Sequence, residues 1–79
     1  MKAQITVYFK DGILDPQGQT IQQSLASMGF AGVKQLRAGK AFDVELESMA
    51  PGDAMKQLSQ MCDRLLVNPT IEKYQIELK

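Results

Sequence analysis

The chain has 79 residues, with nine basic and nine acidic side chains, one cysteine and no histidine. That length implies one domain, residues 1–79, with a small core and no internal disulfide to reinforce it, so self-association is the simplest source of extra stability. Balanced charge offers no basic stripe for nucleic acid, the absence of histidine removes the usual zinc ligand sets, and no apolar run approaches the ~20 residues of a membrane span.

A free cysteine without an export signal points to a reducing, cytoplasmic setting. Along the chain, residues 3–10 alternate strictly, with Ile5, Val7 and Phe9 on one side and Gln4, Thr6 and Tyr8 on the other. This pattern predicts a strand with one buried face. Asp11-Gly12 breaks it. Asp15 is placed to cap a helix and Pro16 to occupy its first position, where a missing N–H is no loss. Ile21, Leu25 and Met28 recur at i, i+4 and i+7, which makes the segment from Gln17 to Met28 an amphipathic helix, closed by Gly29 or Gly32.

Val33 to Arg37 reads as a short strand of mixed pattern, followed by a hairpin turn at Ala38-Gly39-Lys40. Phe42, Val44 and Leu46 then alternate with Asp43, Glu45 and Glu47 in a half-buried strand. Asp53 is the predicted cap of a second helix, from about Ala54 to Val67. Its apolar arc holds Ala54, Met55, Leu58, Met61, Cys62, Leu65 and Leu66. Asn68-Pro69 ends it, and a last strand from about Ile71 to Leu78 buries Tyr74, Ile76 and Leu78.

The order β-α-β-β-α-β predicts an α+β, ferredoxin-like fold: a four-stranded, mostly antiparallel sheet with two helices on one face. Its other face carries Gln4, Thr6, Tyr8, the strand acids, Lys73, Gln75 and Glu77, and is either wet or covered by another chain.

Catalytic chemistry finds little purchase. Cys62 lies in an apolar arc with no histidine to activate it, which reads as a buried, inert thiol. Asp43, Glu45 and Glu47 share a strand face about 7 Å apart, a spacing open to acid–base work or a divalent metal but also that of an ordinary solvated face. "DPQG" presents backbone N–H groups at a helix start, where Asp15 already supplies a carboxylate. Arg37 and Lys40 flank a glycine, either as solvated turn charges or as an anion or acidic-partner contact. From Pro16 to Val33 there is no charged residue. An uncharged polar helix face suits burial against another protein, since charge is depleted at interface cores.

Three stretches in order, "GILDPQG", "LRAGKAFDVEL" and "CDRLLVNPTIEKYQIEL", resemble the PurS family, the small accessory subunit of phosphoribosylformylglycinamidine synthase in de novo purine synthesis. The resemblance runs from the first strand to the last. It implies a non-catalytic chain that self-associates as a dimer or tetramer and bridges a glutaminase and a synthetase subunit, assisting ammonia transfer between them. ATP and magnesium would be used by the synthetase partner, with no cofactor on this chain. The matching residues Asp15, Pro16, Gln17 and Gly18, with Arg37, Gly39 and Lys40, are the expected partner contacts. Asn68, Ile71, Glu72 and Tyr74 match a segment expected to be structural. Lys73 departs from the family, whose members more often carry an acid there. The alternative is a small-molecule-binding regulatory module of the same fold, acting as an oligomer, with Arg37 and Lys40 on an anion.

Overall fold

The computed structural model describes all residues from Met1 to Lys79. Its elements are β1 (Lys2–Phe9), α1 (Pro16–Ser27), β2 (Gly39–Glu45), α2 (Pro51–Met61), a π-helical turn (Cys62–Leu66) and β3 (Glu72–Leu78). The strands form one antiparallel sheet in the order β2-β1-β3. The α+β class and its antiparallel sheet are those expected from the sequence.

Alternation along β1 fixes the register. Ala3, Ile5 and Val7 are buried, with Ile5 between Phe42 and Ile76, and Ala3 between Val44 and Leu78. Gln4 sits between Asp43 and Glu77 on the open face, and Thr6 between Ala41 and Gln75. Shifting any strand by one residue would exchange these two sets, so the buried face specifies the pairing. Leu58, Cys62 and Val67 close the core from above, with Tyr74, Ile76 and Leu78 packed at its margin.

The second helix begins earlier than its sequence suggests. Pro51 takes the first position and Ala50 precedes it with no side-chain cap, so Asp53 does not cap but sits in the first turn, where a carboxylate still favours the helix N-terminus. α-Helical winding stops at Met61. The Val67 N–H donates to the Cys62 carbonyl at 3.0 Å across the wider π turn. That turn changes the helix phase, keeps Cys62 and Val67 in the core, and turns Leu65 outward, 84% exposed rather than on the apolar arc.

The largest correction concerns the fourth strand. Val33 to Arg37 joins no ladder, and Gly39 and Lys40 form no turn, because both are already paired in β2 with Tyr8 and Val7. The sheet therefore has three strands, and the segment instead runs back along α1. The side-chain amide of Gln22 donates to the Val33 and Lys34 carbonyls at 3.3 and 3.2 Å, and the Ala38 N–H donates to the Asp15 carboxylate at 2.9 Å. At the far end Gly29 reverses the chain with φ +102°, while the Phe30 and Gly29 N–H groups satisfy the Leu25 and Ala26 carbonyls. This is a Schellman ending, for which glycine is suited.

Helix and return segment make an arm at one end of the sheet. No side chain of α1 enters the core cluster, and the stripe of Ile21, Leu25 and Met28 stays largely open, with Met28 72% exposed. The molecule measures 48 × 25 × 15 Å, with a Cα radius of gyration of 15.9 Å. A compact chain of this length would have about 12 Å.

Candidate functional site: the junction of sheet and arm

Every expected contact residue falls where the arm meets the sheet. Asp15 organises the corner. It accepts from the Gly18 N–H at 2.9 Å as the helix cap and from the Ala38 N–H at 2.9 Å, so one side chain joins the start of α1 to the start of β2. These two bonds, that of Gly18 foremost, hold its carboxyl below the usual carboxylate range, and the Arg37 charge acts in the same direction.

Gly18 is buried in the same corner. A Cβ there would lie 2.8 Å from the Leu36 carbonyl oxygen and would also strike the Asp15 carboxylate. The chain's own return segment thus accounts for a glycine inside a helix, where it is otherwise unfavourable by about 1 kcal/mol against alanine. Pro16 and Gln17 stay exposed at the rim.

Arg37 and Lys40 are not brought together as a cation pair. Arg37 donates to Asp11, which also lies 3.6 Å from Lys73. The Arg37 hydrogen bond and the Lys73 charge pull the Asp11 carboxyl down. Lys73 stands 5.2 Å from the Tyr8 ring centroid. Lys40 lies on the core side of β2, 3.9 Å from Glu72 and 5.8 Å from the centre of the Phe42 ring. Each cation faces an acid of its own chain. Gly39 begins β2 between them.

Sequence reading missed Asp11 and Gln22. Asp11 looked like turn punctuation, and only the fold brings Arg37 and Lys73 to it. Gln22 belonged to the uncharged row taken for an interface, yet its amide faces the chain's own carbonyls. Gln19, Thr20, Gln23, Ser24, Ala26 and Ser27 remain exposed. Cys62 is fully buried, and burial pushes its thiol up, with Asp63 adding to the shift. No three His, Cys, Asp or Glu side chains cluster to hold a metal ion, and no helix is long and apolar enough to cross a membrane.

Asp15 makes the arm pH-sensitive. Because its folded value is depressed, its contribution is complete above the ordinary aspartate range and is lost as pH falls through the folded value. Amide exchange at Gly18 and Ala38 should therefore accelerate on acidification through that window. An Asp15→Asn variant should flatten the dependence, and an unchanged acid response in that variant would assign it to another group.

A small α+β chain, with a three-stranded antiparallel sheet and a helical arm joined to it at the Asp15–Gly18 corner, is the class that this fold and junction define. The chain belongs to the PurS family: the family model described as phosphoribosylformylglycinamidine (FGAM) synthase matches residues 2–79. The PurS subunit of phosphoribosylformylglycinamidine synthase from Archaeoglobus fulgidus is 34% identical over 76 residues, spanning 96% of this chain and 95% of that protein. The corresponding subunit of Bacillus subtilis is 35% identical, spanning 99% of this chain and 92% of its relative. Among solved structures, Methanocaldococcus jannaschii PurS, one of the subunits of formylglycinamide ribonucleotide amidotransferase in the purine biosynthetic pathway, superposes with a TM-score of 0.89 at 35% identity. It covers 99% of this chain and 94% of that one, taking in arm and sheet alike. A chain in the structure of PurLQS from Thermotoga maritima superposes at 0.88, with 34% identity over 96% of this chain and 93% of that one. PurS subunits are non-catalytic accessory parts of the FGAM synthase complex.

Proposed function

We propose that this chain, self-associated in the cytoplasm, holds the glutaminase and synthetase of FGAM synthase together and assists ammonia transfer between them. The synthetase uses ATP and magnesium to activate formylglycinamide ribonucleotide, and the ammonia released from glutamine converts it to formylglycinamidine ribonucleotide. The observation that carries this reading is the end-to-end likeness to PurS chains, one of them in a PurLQS structure. The junction supplies the docking corner: Asp15, Gly18 and Gly39 set its shape, while Pro16, Gln17, Arg37 and Lys40 present its surface.

The separating experiment reconstitutes the three subunits and compares glutamine-dependent with ammonia-dependent turnover. Omitting this chain should lower glutamine-dependent turnover by tenfold or more and leave turnover with free ammonia nearly intact. Equal loss of both would favour a general scaffold over a role in transfer. Arg37→Glu should weaken co-purification with the partner enzymes, since it also sets two acids side by side at Asp11. Undiminished assembly would remove Arg37 from the contact surface.

A further inference from the structure

Between the arm and the end of the sheet lies a cavity of about 180 Å³ that the contacts described above leave unfilled. Three segments wall it: the loop after β1, the first two turns of α1, and the return segment from Gln35 to Ala38. The loop is turned back by Gly12, at φ +84°, and by the Ile13 N–H, which donates to the Lys10 carbonyl at 3.1 Å. Arg37 ties the return segment to the loop through Asp11, and Asp15 ties it to the start of α1. The space is thus framed by segments already bonded to one another.

Its lining has two characters. Phe9, Ile13 and Leu36 supply apolar wall, and Gln19, Gln22, Gln35 and Arg37 supply hydrogen-bonding groups. Gln22 commits its amide nitrogen to the Val33 and Lys34 carbonyls and keeps its side-chain oxygen free, while the amides of Gln19 and Gln35 enter no hydrogen bond within the chain. Lys10, also in the wall, spends its ammonium on the Pro69 carbonyl, and each Asp15 oxygen is taken by a backbone N–H. Arg37 gives Asp11 one nitrogen and retains most of its five N–H donors. It is the one charged group of the lining with donors to spare, set among three primary amides.

We propose that this cavity is a binding site for a free amino acid whose side chain ends in a primary amide, of which glutamine is the type. The carboxylate meets Arg37, the ammonium meets the free Gln22 oxygen, and the aliphatic stem lies on Ile13 and Leu36. The terminal amide pairs with those of Gln19 and Gln35, since a primary amide both donates and accepts. Size favours the same class: pockets for drug-sized ligands are about 300–1,000 Å³, so this smaller space suits a single amino acid and excludes a nucleotide. The site is complete on one chain and does not depend on the role in the complex. Because its occupant touches loop, helix and return segment together, binding holds the arm at one angle to the sheet, an arm that otherwise has no side chain in the core.

The test titrates the full chain with L-glutamine, L-glutamate and propionamide while its backbone amide resonances are followed. Glutamine should shift the Gly12, Gln19, Gln35 and Arg37 amides along one saturable curve, with a Kd of about 1 mM for so small a ligand, and should slow exchange at Gly18 and Ala38. Glutamate, which lacks the amide, and propionamide, which lacks the carboxylate, should each bind at least fivefold more weakly. Gln35→Leu, at an exposed position, and Arg37→Gln should each lower glutamine affinity at least fivefold with far-ultraviolet circular dichroism unchanged. The absence of a saturable shift, shifts remote from the cavity, or glutamine binding that both variants retain would overturn the site. Equal affinity for glutamine and glutamate would overturn the ligand class.

Discussion

Leu58→Ala should lower the free energy of unfolding by about 2–5 kcal/mol, the range for a large-to-small change that leaves a cavity. Leu58 is fully buried, and only eight residues of the chain are buried at all. It belongs, from α2, to the same small buried cluster as Ile5 and Val7. Domains of this kind have a total stability of about 5–15 kcal/mol. A small chain loses roughly 4–8 °C of midpoint for each kcal/mol, so thermal or urea unfolding at fixed protein concentration will register the change clearly. Leu65→Ala is the matched control: the same truncation on an exposed side chain about two turns away should leave the unfolding of an isolated protomer nearly unchanged. Similar losses for the two variants would mean that the outer surface of the π turn is as buried in solution as the core.

Gly18→Ala is the more discriminating change because its sign is at stake. In an open helix it should stabilise by about 1 kcal/mol. At this corner the added methyl group meets the Leu36 carbonyl and the Asp15 carboxylate, so the variant should lose about 1–3 kcal/mol, as overpacked sites do. Amide exchange at Ala38 should rise with it as the return segment separates from α1. A gain in stability would mean that the return segment yields freely and that the arm is only loosely tied. In the reconstituted enzyme the same variant tests whether the docking corner must keep its shape for the partner subunits to assemble.

Much of this architecture was legible before any coordinates. Strict alternation around Ile5 and Phe42 determines both register and buried face, and Asp15-Pro16 starts α1 by purely local chemistry. What escaped has non-local causes. Whether Val33–Arg37 pairs with a strand or lies on a helix depends on Gln22 and Asp15, 11 to 23 positions away, whose side chains take up backbone groups of Val33, Lys34 and the adjoining Ala38. The π turn is invisible to a period of 100° per residue, so Leu65 was assigned to the core it turns away from. Of the candidate site, the family motif brought out its residues, but geometry alone distinguishes Asp15 and Gly18, which shape the corner, from Pro16, Gln17, Arg37 and Lys40, which surround it.

The contacts along the arm also work as a gauge. Asp15, which caps α1, accepts from the Ala38 N–H, Gly18 leaves room for the Leu36 carbonyl, and the Gln22 amide donates to the Val33 and Lys34 carbonyls of the return segment. A helix advances about 1.5 Å per residue and an extended chain up to about 3.3 Å, so the two limbs count length at different rates. A turn inserted in α1 between Gly18 and Gln22 requires only about two added residues between Lys34 and Ala38 to restore the contacts on both sides of it. Insertions made between these points in one limb alone, or in equal number in both, put the contacts out of step.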